Sequence, residues 1–111
     1  MNEPEMILRA VIDRKGHKYQ TYVAIEELSE LQKELTKQLR GKGNHQHLIE
    51  EFTDVIICMS EIEQMYNLKQ DELNAMYDAK IQRLKERLEH DCIDQEHGYA
   101  GKLRGLSVKR I

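Results

Sequence analysis

Four stretches of helical spacing account for most of the apolar residues. The first runs from Pro4 to Lys15, with Met6, Ile7, Ala10 and Val11 on one face. Proline suits a first helical turn, and Gly16 supplies a stop. The second, Lys18 to Arg40, carries Ala24, Leu28, Leu31, Leu35 and Leu39 at steps of three and four, the spacing of one buried face. Gly41-Lys42-Gly43-Asn44 ends it, and Asn44 suits the N-cap of the third. That third helix bears Leu48, Phe52, Val55, Ile56, Met59, Ile62 and Tyr66. After a break near Asn67 the fourth runs from Gln70 to Glu89, with Leu73, Tyr77, Ile81, Leu84 and Leu88. The pattern predicts an all-α fold. Ile49, Ile57 and Met65 lie outside the third stripe, more apolar surface than one short bundle covers, which predicts an oligomer.

Composition narrows this picture. A chain of 111 residues is expected to form one domain, here a helical body over 1–91 followed by a tail over 92–111. One proline, six glycines and a third of residues charged agree with helices throughout. The apolar runs are too short to span a bilayer, and the start lacks a basic, apolar leader, so a cytoplasmic protein is expected. Cys58 and Cys92 match no zinc-ligand or redox spacing, and Cys58 reads as a small apolar helix residue. The net charge of -3 hides an acidic body and a basic tail, Lys102, Arg104, Lys109 and Arg110. An acidic body argues against a nucleic-acid surface. The glycine-bearing tail lacks helical periodicity and is expected to lie loose or along a partner subunit.

Two short segments repeat one another. Glu26-Glu27-Leu28-Ser29-Glu30-Leu31 and Glu50-Glu51-Phe52-Thr53-Asp54-Val55 both read acid, acid, apolar, hydroxyl, acid, apolar. At about 100° per residue, Glu27 and Glu30 lie roughly 60° apart and one turn apart in height, as do Glu51 and Asp54. Taking Leu28 and Phe52 as zero, each first acid falls near -100° and each second near -160°, while the second helix's stripe centres near -30°. The carboxylates therefore border the expected buried faces. Converging carboxylates repel unless something neutralises them, and a hard divalent cation is the natural candidate.

The competing reading of any Glu-rich helix is a solvated face. Such acids are ordinarily offset by Lys or Arg at i+4, yet Glu26, Glu27, Glu50, Glu51 and Asp54 have none. Only Glu30, beside Lys33 and Glu34, is ambiguous. Glu26 and Glu50 sit further round, toward solvent.

Glu26-Glu27-Leu28-Ser29-Glu30 followed by Glu51-Phe52-Thr53-Asp54 resembles the signature of the MazG-like, all-α nucleoside triphosphate pyrophosphohydrolases, related to dimeric dUTPases and phosphoribosyl-ATP pyrophosphatases. The resemblance covers roughly residues 14–90, with Gly-His-Lys-x-Gln at 16–20 and a basic last helix. It implies a four-helix bundle assembling as a dimer or tetramer. It also implies that Glu27, Glu30, Glu51 and Asp54 ligate Mg²⁺, with Mn²⁺ as a substitute.

The chemistry is coherent without the resemblance. An α,β-phosphoanhydride is cleaved when cations neutralise phosphoryl oxygens and a water is activated. Phosphate binding then needs basic groups, and Lys80, Arg83 and Arg87 stand at steps of three and four on the fourth helix. Lys80 and Arg83 are the candidates, since Arg87 near the helix end is accounted for by the dipole. Gln20, two turns before Glu27 on the same flank, is a candidate contact for a base or for a water at the site. His17, His45 and His47 match no ligand set, and Ser29 and Thr53 bond locally within helices. A di-iron bundle would need Glu-x-x-His pairs, which neither segment supplies. The expected function is Mg²⁺-dependent hydrolysis of a nucleoside or deoxynucleoside triphosphate to the monophosphate and pyrophosphate. The alternatives are a dUTP- or dCTP-specific enzyme, phosphoribosyl-ATP cleavage, or a non-catalytic helical regulatory module.

Overall fold

The computed structural model describes residues 1–95, with side chains through Asp91. It holds four helices, α1 (Glu3–Lys15), α2 (His17–Leu39), α3 (His45–Met65) and α4 (Gln70–Gln95), and no strand among the described residues. The basic tail with Lys102, Arg104, Lys109 and Arg110, and the side chain of Cys92, lie outside the described residues. No described helix is long and apolar enough to cross a membrane.

The helix ends follow from local chemistry. Asn2 caps α1 by accepting from the Glu5 N–H at 2.9 Å, and Pro4 occupies the first turn, where its missing donor is harmless. Gly16 closes α1 at φ 94°, a conformation that a side chain would strain, and its N–H donates to the Ile12 carbonyl at 2.7 Å. Asn44 caps α3 by accepting from the His47 N–H at 3.1 Å. Asn67, at φ 53°, turns the chain after α3, and asparagine tolerates that region better than most residues.

The chain divides into two compact units, Met1–Leu68 and a second beginning at Lys69. In the first unit α2 and α3 form an antiparallel pair, with Gln20 bonded to Glu61 at one end and Glu34 to Asn44 at the other. α1 packs on both. In the second unit, the α4 residues Leu73, Tyr77 and Ile81 are half-buried, whereas Leu84 is exposed.

The buried faces differ from those that the apolar pattern predicted. On α1 the buried residue is Ile12, 1% exposed, while Met6, Ile7, Ala10 and Val11 are exposed. On α2 the buried residues are Gln20, Ala24 and Glu34, with Glu27 and Leu31 half-buried. On α3 they are Cys58, Glu61 and Met65. At about 100° per residue, the inward face of α2 is turned roughly 50° from the leucine stripe, and that of α3 is turned the same way by more. Leu28, Leu35 and Leu39 of α2 consequently stay exposed, as do Phe52, Ile56 and Met59 of α3. Leu31, Leu35, Leu48, Ile49, Phe52 and Thr53 line an open, apolar groove of about 440 Å³. Small residues account for the turn: Ala24 and Cys58 are both buried, and small contact residues let helix axes approach closely.

Candidate metal centre

The same rotation carries the acids from the border of the helix pair into its seam. Glu27 of α2 and Glu51 and Asp54 of α3 each present a carboxylate oxygen, and these three oxygens lie within 4.8 Å of one another. Glu27 and Glu51 are half-buried and Asp54 is exposed, so the cluster is open on one side. None of the three forms an ion pair with a described basic side chain.

Glu30 departs from the expected set. Its carboxylate accepts from Lys33 Nζ at 3.2 Å and stands outside the cluster, the partner at i+3 having drawn it along the surface of α2. Gln20 also departs from its expected role. It is neither on the surface nor free to meet a substrate: at 6% exposure its Nε2 donates to Glu61 at 2.6 Å. Lys80, Arg83 and Arg87 are exposed on α4, within the second unit. His17, His45 and His47 are exposed and stand outside the carboxylate cluster.

Two buried acids escaped the sequence reading. Glu61, 5% exposed, is bonded to Gln20, and Glu34, 4% exposed, accepts from the Asn44 N–H at 3.1 Å and from Gln38 Nε2 at 3.4 Å. Their signal was present as a seven-residue spacing on the inward faces: Gln20, Glu27 and Glu34 on α2, and Asp54 and Glu61 on α3. It was masked because polar residues were not expected at seam positions.

The electrostatics match a site short of positive charge. The Glu27 carboxyl is held above its ordinary range, first by partial burial and then by the negative charges of Asp54, Glu51, Glu26 and Glu30. Burial, then Glu61, Glu27 and Asp54, push the Cys58 thiol up to about 11, so it is an unreactive packing residue. A hard cation bonded to oxygen at about 2.1 Å in octahedral geometry places its ligands roughly 3.0 to 4.2 Å apart. Three carboxylate oxygens within 4.8 Å meet that requirement with small side-chain adjustments, and the donor type suits Mg²⁺ or Mn²⁺.

The elevated Glu27 pKa has a signed consequence. The folded state binds this proton more tightly than the unfolded state, so the contribution is fully present below the ordinary glutamate pKa and is lost as pH rises through the elevated one. In cation-free buffer the melting temperature is therefore expected to fall across that window, and Glu27→Gln is expected to flatten the slope. Saturating Mg²⁺ is expected to restore stability at neutral pH, by about 2.7 kcal/mol at a hundredfold excess over Kd. Thermal melts of both proteins across acid to neutral pH check this, and identical slopes would refute it.

Comparison with protein-family models, curated proteins and solved structures found no match for this chain.

Proposed function

We propose that the chain is a Mg²⁺-dependent nucleoside triphosphate pyrophosphohydrolase of MazG-like type, releasing the monophosphate and pyrophosphate. The observation that carries the reading is the convergence of Glu27, Glu51 and Asp54 from two helices, uncompensated by any described cation. Three like charges at one seam are costly for a merely structural surface, and they acquire a purpose once a divalent cation is bound. When bound, that cation supplies Lewis acidity toward phosphoryl oxygens and lowers the pKa of water. The three carboxylates hold it, and the open side at Asp54 admits a polyphosphate chain. Glu30 serves as a neighbouring negative charge from its place on Lys33.

The proposal includes self-association. The exposed α2 and α3 residues, with Phe52 55% and Ile56 51% exposed, leave an apolar face that a homodimer or a pair of dimers would cover. The same face supports the second reading, a helical assembly module in which the carboxylates hold a structural cation. The two readings part on turnover. Purified protein incubated with the common NTPs and dNTPs and Mg²⁺ is expected to release pyrophosphate from at least one of them, and excess chelator is expected to stop it. No pyrophosphate from any nucleotide would leave the assembly module.

A further inference from the structure

Three carboxylates crowded at a helix seam push the helices apart, so something else in the seam must hold them in place. Apolar contact there is sparse: the buried apolar residues of the unit are Ile12, Ala24, Cys58 and Met65. The remaining buried side chains are polar, and they are spaced regularly about the cluster. Gln20 lies seven residues before Glu27, and Glu34 lies seven after it. Across the seam Asn44 lies seven before Glu51, and Glu61 lies seven after Asp54. Seven residues are two helical turns, about 10 Å along the axis, so each hydrogen-bonded pair sits one heptad from the carboxylates.

We propose that the Gln20–Glu61 and Glu34–Asn44 contacts are positioning contacts that fix the α2–α3 register in which Glu27, Glu51 and Asp54 converge on a divalent cation. The inference rests on the metal reading of that cluster. Gln20 Nε2 donates to Glu61 at 2.6 Å, and the Asn44 backbone N–H donates to Glu34 Oε1 at 3.1 Å. The second contact acts on the residue that caps α3, so it sets where α3 begins relative to α2. Gln38 reinforces it with Nε2 bonds to Glu34 at 3.4 Å and to the Asn44 carbonyl at 3.5 Å. The end of the Gln38 side chain lies over Gly43, in the space that a Cβ there would share with it.

Stability alone is a poor explanation for these pairs. Burying a carboxylate against neutral donors is expensive, and apolar residues of similar volume ordinarily stabilise a seam better. A directional hydrogen bond does what an apolar pair does not: it rejects a helix that has slipped by a turn. Glu61 and Glu34 are thus placed to act through Glu27, Glu51 and Asp54 without touching the cation.

The test is Mn²⁺ affinity, measured on the full chain from the paramagnetic signal of the free ion. The double variant Gln20→Leu/Glu61→Leu keeps a packed seam and loses the bond; it is expected to stay folded and to bind Mn²⁺ roughly tenfold more weakly. Glu61→Gln retains an acceptor for Gln20 Nε2 and is expected to bind within about twofold of the parent chain. Should the double variant fail to fold, Glu34→Leu makes the same test from the other end of the seam, with the same expected loss. Unchanged affinity in the folded Leu variants would overturn the positioning role while leaving the metal reading intact. Equal weakening in Glu61→Gln would overturn it too, by assigning the effect to charge. A parent chain that binds no Mn²⁺ would bring down the metal reading and this inference together.

Discussion

Replacing Glu27 or Asp54 by alanine is expected to abolish turnover, by at least about 10²-fold, while leaving the helical content unchanged. Loss of even an outer-shell partner commonly costs a metal site 10- to 100-fold, and these residues are assigned direct contact. Helical content should survive because both side chains are at most half-buried and neither makes an ion pair with a described residue. In cation-free buffer the same substitutions are expected to raise the melting temperature by a few degrees, since each removes one like charge from a group in which Glu27 is already held above its ordinary pKa. A stability gain paired with an activity loss separates a functional site from a structural one, because an ordinary core residue would lose both. Circular dichroism and pyrophosphate release on the same samples read the two arms. Full activity in either variant would remove these carboxylates from the mechanism.

The second large effect concerns assembly. Light scattering at micromolar protein is expected to return about twice the chain mass of 13.1 kDa, or a higher multiple. The double variant Leu35→Lys/Ile49→Lys is expected to return the chain mass alone. Leu35 is 49% exposed and Ile49 45%, so neither substitution empties the core of the unit. Both line the apolar groove, where desolvating two ammonium groups against a partner would cost several kcal/mol. A stable dimer of ordinary size buries roughly 800 Å² per subunit, and the exposed apolar residues Leu28, Leu35, Leu39, Phe52, Ile56 and Met59 of two helices would contribute to it. A parent chain at the monomer mass would contradict the expectation outright.

Much of this molecule was legible in its sequence, and the illegible part has a definite physical cause. The helix ends at Gly16, Asn44 and Asn67 could be read because caps and left-handed turns are set by the residues that form them. Rotation about the helix axis could not. Hydrophobic periodicity finds the most apolar face of a helix, and it cannot say whether that face meets its own chain or another surface. Leu28, Leu35 and Phe52 therefore looked like core and are exposed, whereas Gln20, Glu34 and Glu61, none of them on an apolar stripe, are buried. The small residues Ala24 and Cys58 marked the true contact line, a weaker signal than a run of leucines.

The same cause divides the site. Glu27, Glu51 and Asp54 were found from two matching acid segments lacking i+4 cations, a local pattern that survives an error in rotation. Glu30 belonged to that pattern and left it because Lys33 stands one turn away. Glu34 and Glu61 were harder to find, since only their seven-residue spacing from Glu27 and Asp54 sets them apart from exposed glutamates.

Phosphorus NMR of a nucleoside triphosphate incubated with the protein and Mg²⁺ tests the central claim most directly, because it shows which bond breaks as well as whether one does. The account predicts that the triphosphate resonances give way to those of a monophosphate and inorganic pyrophosphate, and that Glu27→Ala leaves the spectrum unchanged. A spectrum that stays unchanged for every nucleotide with the parent chain, or one that shows a diphosphate and orthophosphate, would contradict it.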